Sequence, residues 1–202
     1  MVRARITKVA VAAVLLALGA VTLIAAAPAD DHAPAAMTVH IRDYCDIASF
    51  GALCTRSAAD QTANGFITRG GFNAELAVEH SVGAWRFIPD RSSAPEGTTL
   101  TLQNLGGETH TFTRVQQFGG GFIAPLNAGA GTPDPAPECA SVVNGALVPQ
   151  PPSANNVFLP AGATMTGQTV RQAEVAHFQC CIHPWMRMTV NARGEQGEHD
   201  HQ

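Results

Sequence analysis

The sequence predicts an all-β fold, a sandwich carrying a long loop insertion and an N-terminal, disulfide-stapled extension. Three observations predict it. Between residues 84 and 115, short runs of alternating apolar and polar residues follow one another with Pro and Gly between them. A second series of such runs, at 164–170, 175–180 and 188–191, closes the chain. Between the two series, residues 116–157 hold Gly119 to Gly121 and seven prolines, which reads as one long loop with little room for regular structure. At 202 residues, 46% of them hydrophobic, the chain can bury one sizeable core, and it shows no repeat of solenoid or propeller period.

Taken in order, the chain begins with Arg3, Arg5 and Lys8 ahead of an apolar run from Val9 to Ala27 and the small-residue sequence Ala27-Pro28-Ala29. This is the layout of an export signal over residues 1–29, cleaved after the small residues; the length of the run leaves an uncleaved membrane anchor as the alternative. Removal of this segment takes three of the 12 basic residues and none of the 16 acidic ones, leaving nine arginines, no lysine and a net charge of −7. Such a chain is not built to bind nucleic acid. Residues 30–37 form a linker, and residues 38–83 an extension packed on the main domain. Met37 to Arg42 alternates as a first strand with His40 on its polar side. Cys45 and Cys54 bracket a stapled turn, and 57–71 is loop with a short strand near Phe66 to Thr68. Phe72 to Val82 is the expected helix, with Phe72, Leu76 and Ala77 on one face and His80 near its C-terminus, where the dipole favours it.

The main domain spans residues 84–193. Ala84 to Ile88 is a strand ended by Pro89, and Pro95-Glu96-Gly97 is a turn. Thr98 to Asn104 and His110 to Val115 are strands joined by the bend at Gly106-Gly107. Val157 to Leu159 returns as an edge strand before the turn at Pro160 to Gly162. Thr164 to Val170, Val175 to Cys180 and Met188 to Asn191 complete the set. If Cys180 points inward, Phe178 and Ala176 share its face while His177 and Gln179 turn away, which removes His177 from any inward-facing site. Residues 194–202 form a charged, flexible tail, and its two histidines are read as solvated.

One stretch concentrates chemistry: Phe178-Gln179-Cys180-Cys181-Ile182-His183-Pro184-Trp185-Met186. It places a thiolate, an imidazole and a thioether in the order Cys-x-x-His-x-x-Met. Soft sulfur donors with imidazole suit copper, and a trigonal site of two histidines and one cysteine with a weak axial methionine is the blue-copper arrangement. The loop supplies one imidazole, and the second candidate is His110, after the turn Asn104-Leu105-Gly106-Gly107-Glu108-Thr109. Met186 alone would be an ordinary core gap-filler. Its place in this series, downstream of His110, favours a ligand.

An upstream His after an Asn/Gly-rich turn, followed by a C-terminal Cys-x-x-His-x-x-Met loop between two strands, resembles the cupredoxin family. The short loop with Pro184 after the His is most similar to the amicyanin and plastocyanin type. The resemblance covers Trp85 to Asn191 and does not reach the segment before it. It implies a Greek-key β-sandwich holding one copper ion, cycling between Cu(I) and Cu(II), on His110, Cys180, His183 and Met186. Two positions depart from the family pattern. The residue after the upstream His is commonly Asn, tying the two ligand loops together, and here it is Thr111. Cys181 is an added neighbour of the ligand cysteine. With Cys180 reserved for metal, four of the five cysteines remain, and in an oxidising compartment Cys45 is expected to pair locally with Cys54 and Cys139 with Cys181. The second bridge resembles that of phytocyanins. Cysteine count alone does not fix this connectivity.

The expected function is one-electron transfer by an exported, monomeric copper protein, secreted or periplasmic, or membrane-anchored if the first segment is retained. Its partner is a redox protein that docks transiently. His183 near the surface is the expected electron route, with Pro184 and Trp185 as an apolar contact patch and Arg187 at its rim. A copper-dependent redox enzyme acting on a small molecule is the alternative, and it needs an open coordination position. Copper storage or delivery is another, weakly favoured by the histidines of the tail. No Ser/His/Asp arrangement, phosphate-cradling glycine loop or paired-carboxylate motif points to another enzyme class.

Overall fold

The computed structural model describes residues 35–55, 66–171 and 175–193. The expected export signal, most of the linker and the charged tail lie outside the described residues. Eleven strands are formed among the described residues. Their order along the chain is β1 (Ala36–Arg42), β2 (Arg86–Ile88), β3 (Arg91–Pro95), β4 (Thr99–Asn104) and β5 (His110–Val115), then β6 (Ala140–Val143), β7 (Ala146–Pro149), β8 (Asn156–Leu159), β9 (Thr164–Thr169), β10 (Val175–Gln179) and β11 (Arg187–Arg193).

The strands build two sheets, in the orders β2-β1-β4-β9 and β3-β11-β10-β5-β8, with β6 and β7 as a separate hairpin. β1 runs parallel to β4 and antiparallel to β2, and β3 runs parallel to β11. The period-2 alternation read from the sequence decides what each strand buries. Val39 and Ile41 of β1, Leu100 and Leu102 of β4, and Phe87 of β2 face Phe112, Phe178, Met188 and Val190 of the other sheet. Phe112 stacks on Phe178 with ring centroids 4.5 Å apart and meets Phe87 at 5.2 Å. The arrangement is a β-sandwich, as the sequence predicts.

β5 is buried on both faces. His110 and Phe112 face one way, and Thr111, Thr113 and Val115 face the other. The outer face is covered by the insertion, where Val115, Cys139, Cys181 and Ala136 form a second apolar cluster with Phe118 and Phe122. That insertion is more ordered than its proline content suggests. It contains a helix at Ala124–Gly129, with Pro125 in the first turn where no N–H is missed. It also contains the β6–β7 hairpin, turned by Asn144 and Gly145 with φ of 51° and 81°. The prolines delimit these elements instead of preventing them.

Two further differences have local causes. β3, for which Arg-Ser-Ser-Ala-Pro offers no apolar alternation, is a polar edge strand that buries only Ala94. β1 lies inside its sheet, so the sandwich begins at Ala36 and not at the expected boundary of 84. The rest of the extension carries helix α1 (Ile47–Phe50), capped by the Asp46 carboxylate on the N–H groups of Ala48 and Ser49. Helix α2 runs from Arg69 to Glu79, three residues ahead of the expected span, because the Thr68 hydroxyl caps it by accepting from Gly71 N. His80 ends α2 in the left-handed conformation, φ 56°, and its Nδ1 lies 2.8 Å from Gly129 O. Its role is that of a C-cap.

Both expected disulfides are present, Cys45–Cys54 and Cys139–Cys181, and Cys180 alone is free. The second ties the insertion to the residue beside Cys180. Replacing Cys139 and Cys181 together by Ser should lower the unfolding free energy by about 2–4 kcal/mol, read from urea denaturation of the metal-free protein. An unchanged midpoint would mean that the hairpin and the apolar cluster hold the insertion without the bridge.

Candidate metal centre

The site sits at one end of the sandwich, where β5 begins and β10 ends. His110 is the first residue of β5 and Cys180 the first after β10, so the register of the two neighbouring strands brings them together across 70 residues of chain. The loop 180–186 then folds back on itself. Met186 N donates to His183 O at 2.9 Å and Cys180 N donates to Met186 O at 3.0 Å. All four expected ligand residues are buried, with His183 the most exposed at 3%.

His110 Nδ1, His183 Nδ1 and Cys180 Sγ converge on one another. The two nitrogens are 3.2 Å apart, and the sulfur lies 3.7 Å from the first and 3.8 Å from the second. A point equidistant from the three atoms lies about 2.1 Å from each, close to the bond lengths that nitrogen and sulfur donors make to a transition metal. His110, Cys180 and His183 are the group able to hold a metal ion among the described residues. The triangle fits the two-imidazole, one-thiolate set of a blue-copper site.

Each imidazole has a carboxylate behind it. His110 Nε2 lies 2.8 Å from Asp43 Oδ2, with both side chains fully buried, and His183 Nε2 lies 3.3 Å from Glu108 Oε2. A carboxylate at Nε2 holds the proton there and leaves the Nδ1 lone pair free for a metal, as outer partners of metal-bound histidines commonly do. Asp43 also accepts from Gly107 N at 2.7 Å and from Glu108 N at 3.0 Å. Gly106 is required here, since any Cβ would collide with the Asp43 carboxylate. Asn104 completes the turn by donating to Glu108 O and Leu159 O and accepting from Gly106 N.

The thiolate is held in the same manner. Cys180 Sγ accepts from the N–H groups of Thr111 and His183, each at 3.4 Å. Thr111 joins the two segments that carry His110 and Cys180: its Oγ1 accepts from Cys181 N at 2.6 Å and lies 3.1 Å from Thr113 Oγ1, which donates to Asn156 Oδ1 at 2.8 Å. Gly121 packs so tightly on Cys181 O that a side chain there would clash, and Phe122 N donates to the same oxygen at 2.9 Å.

The electrostatics call for positive charge between these donors. Burial would raise the Cys180 thiol, but the hydrogen bonds and charges of His110 and His183 outweigh it and hold it well below its ordinary 9.0. Burial would lower His110, but Asp43 and Cys180 push it up to about 10. His183 rises for the same reasons, with Cys180 and then Glu108 overcoming burial. Asp43 stays below 3.8, because His110 and the Gly107 and Glu108 N–H groups outweigh its burial. Protons on the imidazoles supply that positive charge here.

The structure departs from the sequence reading in two respects. Asp43 and Glu108 were not singled out, and His183 is not at the surface. Trp85 lies 6.3 Å and Trp185 5.4 Å from its ring, centroid to centroid, with Phe72 against both indoles. His177 faces away from the site, as alternation requires, with its ring on Phe118 and Nδ1 near Gln116 O.

No protein-family model and no curated protein matches the sequence. The solved structures similar to it include a purple cupredoxin from Nitrosopumilus maritimus, 20% identical, covering 60% of this chain and 93% of that one with a TM-score of 0.34. Oxidised plastocyanin from Dryopteris crassirhizoma is 18% identical, covering 56% and 93% with a TM-score of 0.33. Reduced auracyanin from Roseiflexus castenholzii is 17% identical, covering 54% and 87% with a TM-score of 0.31.

The shifts set a pH dependence for the metal-free fold. His110 has a raised folded pKa, so its contribution is full below 6.5 and is lost as pH rises through about 10. Cys180 has a lowered one, so its contribution is complete above 9.0. Above pH 9.0 only the histidine loss remains, and the urea midpoint should fall between pH 9 and 10.5. A midpoint that rises over this interval would contradict the imidazolium–thiolate pairing.

Proposed function

We propose that this chain is an exported copper protein of cupredoxin type that carries single electrons, with His110, Cys180, His183 and Met186 as ligands. The observation that carries the reading is the triangle of two Nδ1 atoms and one thiolate, each oriented by its own hydrogen bonds. Copper at such a site supplies a one-electron Cu(I)/Cu(II) couple. The chain's own residues do the rest. Asp43 and Glu108 fix both imidazoles, the Thr111 and His183 N–H groups fix the sulfur, and the buried Met186 offers a thioether as a weak fourth donor. A fourth protein donor closes the position that a substrate would need, which favours a carrier over an enzyme.

Export is proposed from Arg3, Arg5, Lys8 and the apolar run that follows them, a compartment consistent with two disulfides. Among the described residues no helix is long and apolar enough to cross a membrane. A monomer meeting its redox partner transiently completes the reading.

The copper-loaded, oxidised protein should show an intense thiolate-to-copper charge-transfer band in the visible, unchanged by azide. Cys180→Ser should lose the band and keep the far-ultraviolet circular dichroism of the fold. A variant that keeps its colour refutes the thiolate assignment, and clear azide-induced changes in the unmutated protein would favour the small-molecule enzyme.

Asp43→Asn should raise the reduction potential, because a neutral amide donates less charge to the His110 ring than a carboxylate and so favours the oxidised metal less. Spectroelectrochemical titration measures this. A lowered potential would mean that Asp43 does not act through His110.

A further inference from the structure

The aromatic wall of Trp85 and Trp185 covers His183, which is buried, so an electron reaching the site needs another way in. Beside the centre lies a cleft of about 360 Å³ lined by Arg86, Asp90, Arg91, Phe118, Trp185, Met186, Arg187 and Thr189. Two of its walls belong to the site: Met186 is the proposed fourth ligand, and the Trp185 ring lies 5.4 Å from His183. Three of the lining residues are arginines and one is an aspartate, in a chain that is acidic as a whole. None of the three arginines forms an ion pair among the described residues. Arg86 spends one N–H on Gly83 O, and Arg187 donates its Nε to Pro184 O and lays its guanidinium over the Phe118 ring at 5.1 Å. Arg187 is partly buried. The buried indole N–H of Trp185 has no protein acceptor either.

Unpaired guanidinium groups around a concave surface are complementary to carboxylates, which they bind in a bidentate manner. We propose that this arginine-lined cleft, and not the His183 edge, is where an acidic redox partner docks, its carboxylates entering between Arg86, Arg91 and Arg187 while Trp185 bridges to His183. The proposal rests on the electron-carrier reading of the same site. Its logic is electrostatic: a local positive patch on an acidic molecule orients the encounter, turning this face toward the carboxylates of a negatively charged partner.

The test begins without copper. Iodide and caesium quench indole fluorescence as small charged probes, and Trp185→Phe identifies the share due to Trp185. Iodide should quench metal-free protein more than caesium at equal ionic strength. Arg86→Ala/Arg91→Ala, two exposed positions, should cut the iodide quenching constant about twofold or more and leave caesium quenching undiminished. In copper-loaded, reduced protein the same pair should slow oxidation by ferricyanide about fivefold or more without slowing oxidation by tris(phenanthroline)cobalt(III), a cation. Arg91→Gln alone should give a smaller change in the same direction. A poly-glutamate peptide should inhibit the ferricyanide reaction more than sulfate at matched ionic strength. Equal inhibition by sulfate would mark a site for free small anions and overturn the docking assignment, as would an unchanged ratio of ferricyanide to cobalt rates. If the iodide result holds and copper gives no colour, the cleft stands and the copper reading falls; colour without iodide preference removes the cleft alone.

Discussion

The contact on which the centre depends is the buried hydrogen bond between Asp43 and His110. Asp43 follows β1, in one sheet, and His110 begins β5, in the other, so a single carboxylate joins the two layers of the sandwich behind the candidate ligands. A carboxylate with no exposure is costly to desolvate and is tolerated when all its oxygens are engaged. Asp43 meets that condition with Gly107 N, Glu108 N and His110 Nε2. Those same bonds shape the turn that carries Glu108, and Glu108 in turn holds His183. One buried group therefore positions both imidazoles, the first directly and the second through the turn it organises.

The sulfur side has its own fastening. The thiolate accepts two backbone N–H groups, and the peptide after it is held from two directions, by Thr111 Oγ1 on Cys181 N and by Phe122 N on Cys181 O. The Cys139–Cys181 bridge adds a covalent link to the insertion. Hydrogen bonds to a thiolate withdraw charge from it, while carboxylates behind imidazoles push charge toward the metal. On the copper reading proposed above, the two sets would act on the couple in opposite directions.

What the sequence showed and what it hid follow from distance along the chain. The cluster of His110, Cys180 and His183 was legible because Cys180 and His183 lie three positions apart and His110 opens a strand with clear alternation. The two-sheet core was legible because Phe87, Leu100, Leu102, Phe112 and Phe178 alternate with polar neighbours. Asp43 was not, since it lies 67 residues from its partner and no local pattern marks a carboxylate that will be buried. β3 was hidden because an edge strand with one buried residue needs no apolar period. The hairpin in the insertion carried its signal, Asn144-Gly145, but the surrounding prolines outweighed it; they terminate strands and start a helix there.

The extension before residue 84 changes what the site can do. Phe50 of α1 and Phe72 of α2 pack on Trp85 at 5.4 and 4.9 Å, and Phe72 also reaches Trp185 at 5.7 Å. Aromatic packing of this kind buries large apolar areas with defined geometry, and the wall it forms excludes water from His183. Taking water away strengthens every charge interaction inside the site, including the carboxylate–imidazole and imidazole–thiolate contacts that orient the donors. It also removes the imidazole edge as a point of contact and leaves Trp185, partly exposed, as the ring that touches both His183 and the outside. Arg86, Arg91 and Arg187, which form no ion pair among the described residues, line the cleft beside that ring. The packing that buries His183 thus also decides which ring beside the cluster meets solvent.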